Sequence, residues 1–155
     1  MNAYMHQYQQ TQVTTASPEK ILIMLYDGAI RLLGQARHGM EAGEPLKKRE
    51  SISKAIAIIA YLSDTLDHEA GWEGSIELDG LYGFMVRELT RANLTDNLEA
   101  IVVVEGLLEG LRTSWAEAIQ MIREQKAQAT AGEAPAMAPP GVAKPAEYRP
   151  LAVSL

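Results

Sequence analysis

The sequence predicts an all-α protein: an antiparallel up-down-up-down four-helix bundle with a flexible N-terminal arm and a disordered Ala/Pro-rich C-terminal tail. Three observations carry this prediction. Apolar residues recur at helical spacing in four successive stretches, the connections between them are short, and no stretch alternates with the period of two that a half-buried strand requires. The same pattern divides the chain into an arm at residues 1–16, a bundle at 17–127 and a tail at 128–155. At 155 residues and with no internal repeat, this is one domain, long enough to bury a core without disulfides or metal.

The first helix is expected from about Pro18 to Arg37. Ser17 accepts a hydrogen bond from a first-turn N–H, Pro18 supplies a preset φ where its missing N–H costs nothing, and Glu19 complements the helix dipole. Its end is expected near His38-Gly39, with the glycine as left-handed cap. Leu22, Leu25, Tyr26, Ala29, Leu32, Leu33 and Ala36 form the inward stripe, while Ile23 and Ile30 lie beside it and Met24 nearly opposite. That is more apolar surface than one core uses.

Pro45 suits the first turn of the second helix, which is expected to reach about His68 with Ile52, Ala55, Ile56, Ile59, Leu62, Ser63 and Leu66 inward. Ile58 and Tyr61 point away from that stripe. Residues 69–74, with two glycines, break the helix. The third then runs from about Ser75 to Asn93 on Leu78, Leu81, Tyr82, Met85, Leu89 and Ala92. Asp96 and Glu99 have capping-box spacing and open the fourth helix, which is expected to end near Lys126. Its inward stripe is Ile101, Val104, Leu108, Leu111, Trp115, Ala118, Ile119 and Ile122. Beyond about Gln128 the Ala/Pro/Gly composition neither continues a helix nor builds a core. Tyr148, Leu151, Val153 and Leu155 are the residues there with the character of a small docking motif.

Composition and motifs exclude several functions. With no cysteine, a Cys zinc site, a thiol nucleophile and a disulfide framework are ruled out. Ser17-Pro18-Glu19-Lys20 matches the S-x-x-K of penicillin-binding enzymes, but their companion motifs and oxyanion hole are missing, so it reads as a helix cap. A di-iron bundle needs inward carboxylates and two Glu-x-x-His pairs. None of His6, His38 and His68 has a glutamate three residues before it, and the inward stripes carry no Asp or Glu. No Gly-rich phosphate loop occurs. The expectation is therefore a protein that is not an enzyme and holds no metal or cofactor. A formal net charge of −6 speaks against nucleic acid, and Lys47-Lys48-Arg49, the one compact basic cluster, reads as a solvated helix face. The polar N-terminus has no export signal, and no run approaches the roughly 20 apolar residues of a membrane span, so the expected location is cytoplasmic.

The back of the fourth helix is more informative. Val102, Val103, Gly106, Gly110 and Ser114 fall together there, small and nearly uncharged. Two glycines inside one helix cost about 1 kcal/mol each relative to alanine. Either a neighbouring helix of the bundle approaches closely, or the strip is a shallow outer channel for a foreign amphipathic helix. The outward Ile23, Ile30, Ile58 and Tyr61 support the second reading. The arm holds Tyr4, Tyr8 and Val13 at about helical intervals, apolar enough to cap such a surface when no partner is present.

Several stretches together resemble the flagellar secretion chaperone family FliS. They are the Tyr-containing arm, Gln12-Val13-Thr14-Thr15-Ala16-Ser17-Pro18-Glu19-Lys20, Met24-Leu25-Tyr26-Asp27-Gly28-Ala29, Leu81-Tyr82 with Arg91-Ala92-Asn93, and Leu107-Leu108-Glu109-Gly110-Leu111-Arg112 with Trp115. The likeness spans about residues 4–120, and the combination of Thr-Ala-Ser-Pro with Leu-Tyr-Asp-Gly-Ala is its specific part. It implies a cytoplasmic export chaperone that binds the C-terminal segment of flagellin, prevents premature polymerisation and delivers the subunit to the flagellar type III export gate. It leaves room for a second flagellar assembly factor on the same surface. The tail lies outside the likeness, and the Gly106/Gly110 pair departs from it. The alternative of a different kind is a structural bundle that associates with itself through the same strips and has no client.

Overall fold

The computed structural model of the chain describes residues 16–66 and 73–132. The arm residues Tyr4, Tyr8 and Val13, residues 67–72, and the tail from residue 133 lie outside the described residues. Four helices account for most of what is described: α1 (Pro18–Glu41), α2 (Pro45–Asp64), α3 (Gly74–Thr95) and α4 (Leu98–Gly132). The chain divides into two compact units, Met24–Thr113 and the combination of Met1–Ile23 with Ser114–Leu155.

In Met24–Thr113, cross-helix pairs fix the directions of the helices. Along α1 and α2, Gly28 lies beside Ile58 and Gly39 beside Lys48. Along α1 and α4, Asp27 meets Arg112 and Arg37 meets Glu105. Along α2 and α3, Ser63 bonds Asp79 while Lys48 reaches Asn93 and Asp96. Each series rises on one helix as it falls on the other, so neighbours are antiparallel and the bundle runs up-down-up-down, as the sequence predicts.

The core is drawn from the inward stripes, although Leu25, Ile56, Ser63, Leu66, Leu81 and Leu111, also expected inward, are only half-buried. Tyr26, Ala29, Leu32, Leu33 and Ala36 of α1 are buried with Ile52, Ala55, Ile59 and Leu62 of α2. Leu78, Tyr82, Met85, Leu89 and Ala92 of α3 and Ile101, Val104 and Leu108 of α4 complete it. At its centre the Tyr26 and Tyr82 hydroxyls hydrogen-bond across the diagonal of the bundle. That bond satisfies polar groups that are costly to bury alone. Burial first, and then Tyr26, pushes ionisation of the Tyr82 phenol far up, so Tyr82 stays neutral.

Several boundaries depart from expectation. Ser17 does cap α1, its Oγ accepting from the Lys20 N–H at 3.2 Å. The helix, however, passes through His38-Gly39 to Glu41. Gly43, with φ +70°, takes the left-handed position expected of Gly39. Gly39 instead permits close approach: a Cβ there would lie 3.0 Å from the Lys48 N and 3.2 Å from the Glu44 O. Helix α2 ends at Asp64, four residues short of His68, with Thr65 as C-cap. Asp96 does not open α4 but terminates α3 in the left-handed conformation, φ 54°. The N-cap is Asn97, whose Oδ1 accepts from the Ala100 N–H at 3.1 Å. Helix α4 runs past Lys126 to Gly132, through alanines and a glutamine that favour helix.

Lys48 is the clearest correction. It is not on a solvated face but buried, and its Nζ donates to the Asn93 carbonyl at 3.0 Å and to Asp96 Oδ1 at 2.5 Å. The ammonium thereby caps the C-terminus of α3 and complements its dipole. Its neighbours Lys47 and Arg49 are exposed, as expected.

Candidate functional site

Helical spacing sets Val102, Val103, Gly106 and Gly110 on the side of α4 opposite Ile101, Val104 and Leu108. Those three are fully buried, whereas Val102 is 48% and Val103 43% exposed. The two glycines are exposed, and a Cβ on either would meet nothing within 4 Å among the described residues. Close approach of a helix of this bundle is therefore not what requires glycine there. The strip is an open, shallow apolar surface, with Leu98 exposed near its N-terminal end.

Charge borders it on the α1 side. Arg37 Nε and Nη2 each donate to a different carboxylate oxygen of Glu105 at 3.0 Å, and Arg112 makes a second two-pronged pair with Asp27. Each carboxylate, by hydrogen bond and then by charge, raises the pKa of its guanidinium. Such two-toothed pairs fix orientation, and in exposed positions they add little stability. Their effect is to hold α1 and α4 in register along one edge of the strip.

The other residues expected in the site fall in different places. Ile30 is half-buried on the face of α1 that also carries Asp27, Gly34 and Arg37, next to the border pairs. Ile58 lies over Gly28, whose Cβ position is 3.5 Å from Ile58 Cδ1. With Tyr61 one turn on, it belongs to the α1/α2 seam rather than to the α4 strip. Ile23, half-buried, and Ser114, exposed, belong to the other unit.

That unit holds a feature the sequence pattern assigned to the core. Leu22, Trp115, Ala118, Ile119 and Ile122 line a groove of about 200 Å³, with Glu19, Arg123 and Lys126 at its rim. Trp115, Ala118 and Ile119 are only half-buried, and Ile122 is 49% exposed. The available signal was length: α4 has 35 residues against 24, 20 and 22 in the other three helices. Among the described residues no cluster of His, Asp or Glu is placed to hold a metal ion, and no helix is long and apolar enough to cross a membrane.

Comparison with known proteins agrees with this architecture. The family model for flagellar protein FliS matches residues 1–122. The flagellar secretion chaperone FliS of Salmonella typhimurium is 40% identical over 116 residues, covering 74% of this chain and 86% of that protein. FliS of Bacillus subtilis is 33% identical over 119 residues, 77% of this chain and 88% of its own. FliSB of Pseudomonas aeruginosa is 36% identical over 115 residues, 72% and 91% respectively. A core of inward stripes, a helical bundle and a match across nearly the whole length of these relatives place the chain in the FliS family of flagellar secretion chaperones, proteins that serve flagellar export and are not enzymes.

Proposed function

We propose that the chain binds the C-terminal segment of flagellin in the cytoplasm, keeps it from polymerising and delivers it to the flagellar type III export gate. The observation that carries this reading is the open strip Val102, Val103, Gly106 and Gly110. An amphipathic client helix lies along it and sets bulky side chains over the two glycines, where no side chain of the described residues stands within 4 Å of a Cβ. Two internal glycines that the bundle does not require gain a reason from such a contact. Ile30 extends the surface across the ion-paired border. Ile58 and Tyr61 supply further contacts for a client that continues beyond the strip.

Calorimetry with a peptide from the flagellin C-terminus tests this. Binding is expected with a negative heat-capacity change, the mark of apolar burial. Gly106→Glu places a charge where the client desolvates the strip, so affinity falls at least about tenfold. Its melting temperature stays near that of the parent, because the site faces water. Unchanged affinity in Gly106→Glu removes the strip from the binding surface, and absence of binding by the parent protein removes the client.

The arm acts in the same reading as a competitor. Tyr4, Tyr8 and Val13 are tethered just ahead of α1, so their effective concentration near the surface is high even where each contact is weak. Deleting residues 1–14 is expected to raise client affinity and lower the solubility of the free protein. Level affinity makes the arm idle, and a fall makes it part of the binding site.

A further inference from the structure

Leu22 on α1 and Trp115, Ala118, Ile119 and Ile122 on α4 form an apolar groove of about 200 Å³ that the client reading leaves unused. Its four α4 residues fall at i, i+3, i+4 and i+7, a single helical stripe about 10 Å long at 1.5 Å per residue. Ile122 is 49% exposed, so the stripe stays apolar where it meets water. An apolar segment that covers it is stabilised by the area removed from water. Toward the C-terminal end of α4 the groove is rimmed by Arg123 and Lys126, and Glu19 lines it from the first turn of α1. None of these three charges forms an ion pair among the described residues.

The chain itself carries a segment that fits. Residues 147–155 read Glu147-Tyr148-Arg149-Pro150-Leu151-Ala152-Val153-Ser154-Leu155. Leu151, Val153 and Leu155 alternate with small residues at the period of an extended strand, which sets all three on one side over about 13 Å at 3.3 Å per residue. Pro150 biases Arg149 toward the same extended backbone. Glu147 complements Arg123 and Lys126 in charge, and Arg149 complements Glu19. The arm at residues 1–15 contains no Asp, Glu, Lys or Arg, so it has nothing to offer that rim. We propose that residues 147–155 fold back along α4 and fill the groove of their own chain, with Leu151, Val153 and Leu155 against Ile122, Ile119 and Trp115.

The connection allows this return. From Gly132 back to Ile122 is about 15 Å along α4 at 1.5 Å per residue. Residues 133–150 would span about 55 Å at the 3.1 Å per residue of a polyproline chain, so the connection has to reverse direction. Pro140-Gly141, near its middle, is the dipeptide of a type II turn. A chain that returns from this side meets the charged rim first with Glu147 and Arg149, and then carries Leu151 to Leu155 on toward Trp115. The short tether holds the segment at an effective concentration of about millimolar, so a contact too weak for a free peptide suffices. Arg123, Lys126 and the tail all lie beyond residue 122, where the family match ends. The strip proposed for the client belongs to the other unit, so the docked tail does not rest on that reading.

The chain has no cysteine, so introduced thiols report alone. Ile122→Cys with Leu151→Cys joins the groove to the segment in one full-length chain. Glu124→Cys with Leu151→Cys, at the same distance from the tail but on another face of α4, is the control. Under dilute oxidation the first pair is expected to close an intramolecular disulfide at least about fivefold faster than the second. In a Trp72→Phe background Trp115 is the one remaining tryptophan, and Leu151→Glu with Val153→Glu is expected to shift its emission to the red as water enters the groove. Equal closure rates in the two pairs, or an emission unmoved by the two glutamates, overturn the docking. A disulfide formed between chains instead of within one overturns the return onto the same chain and gives the groove to the tail of a second copy. A red shift produced by Tyr4→Glu with Tyr8→Glu, and not by the tail variant, gives the groove to the arm and likewise overturns the proposal.

Discussion

Gly39 and Gly106 both sit inside long helices, and their surroundings could hardly differ more. At Gly39 the backbone of the α1–α2 corner closes in, with the Lys48 N 3.0 Å from where a Cβ would stand. At Gly106 nothing among the described residues lies within 4 Å of that position. The first glycine serves the fold, because a Cβ there would press on two backbone atoms of the corner and make them give way. The second does not, and its helical cost is left without a structural return inside the bundle. The difference separates residues that build the chaperone from residues that are free to serve a partner.

The largest effect is expected where the corner is overfilled. Gly39→Leu forces the Lys48 and Glu44 backbone apart and is expected to cost about 2–3 kcal/mol, read as a lower midpoint in urea. Gly106→Leu, with open space above it, is expected to shift the same midpoint little. Equal losses in the two variants would erase the contrast, since they would mean that the α4 strip is packed in solution.

A second test touches the same corner through its side chain. Lys48 is buried and bonds the Asn93 carbonyl and Asp96. Lys48→Met keeps the stem and removes those bonds, leaving a helix-terminal carbonyl without its partner, at a cost of about 1–2 kcal/mol. Lys47→Met, one residue away and exposed, is expected to stay within about 0.5 kcal/mol of the parent. If the two methionine variants melt alike, the buried ammonium contributes nothing net to the corner.

The corner also marks where the sequence was legible and where it was not. Periodicity placed Tyr26, Leu33, Ile59, Met85 and Leu108 in the core, because burial follows the helix period directly. The Ser17 cap and the Pro45 start were readable because each is a local rule. Gly39 and Asp96 depart from the local rule for one shared reason: both residue types commonly end or begin helices, and tertiary contacts decide otherwise here. Lys48 escaped because nothing in a run of three basic residues says which one will be drawn under the end of a helix some 45 residues away. The α4 strip was visible as a face, but whether its glycines were covered depended on neighbours that a helical wheel does not contain. Ile58 and Tyr61 were grouped with that strip because a wheel says what is outward without saying toward which seam.

The smallest change sharpens the comparison most, because its two readouts are expected to move in opposite directions. Gly106→Ala adds one methyl group at a site with no neighbour within 4 Å among the described residues. Alanine loses less backbone freedom on folding, so the free protein gains about 0.5–1 kcal/mol. Were a client helix to pack against the strip, the same methyl group would occupy part of the space its side chains use, and affinity would fall several-fold. Neither readout alone is decisive, since a stabilised bundle is expected at any exposed helical glycine, and a weaker complex follows from any damaged fold. Together they are decisive, because a variant that melts higher and binds worse has lost something only the complex uses. A variant that melts higher and binds the flagellin peptide with unchanged affinity leaves Gly106 outside the contact.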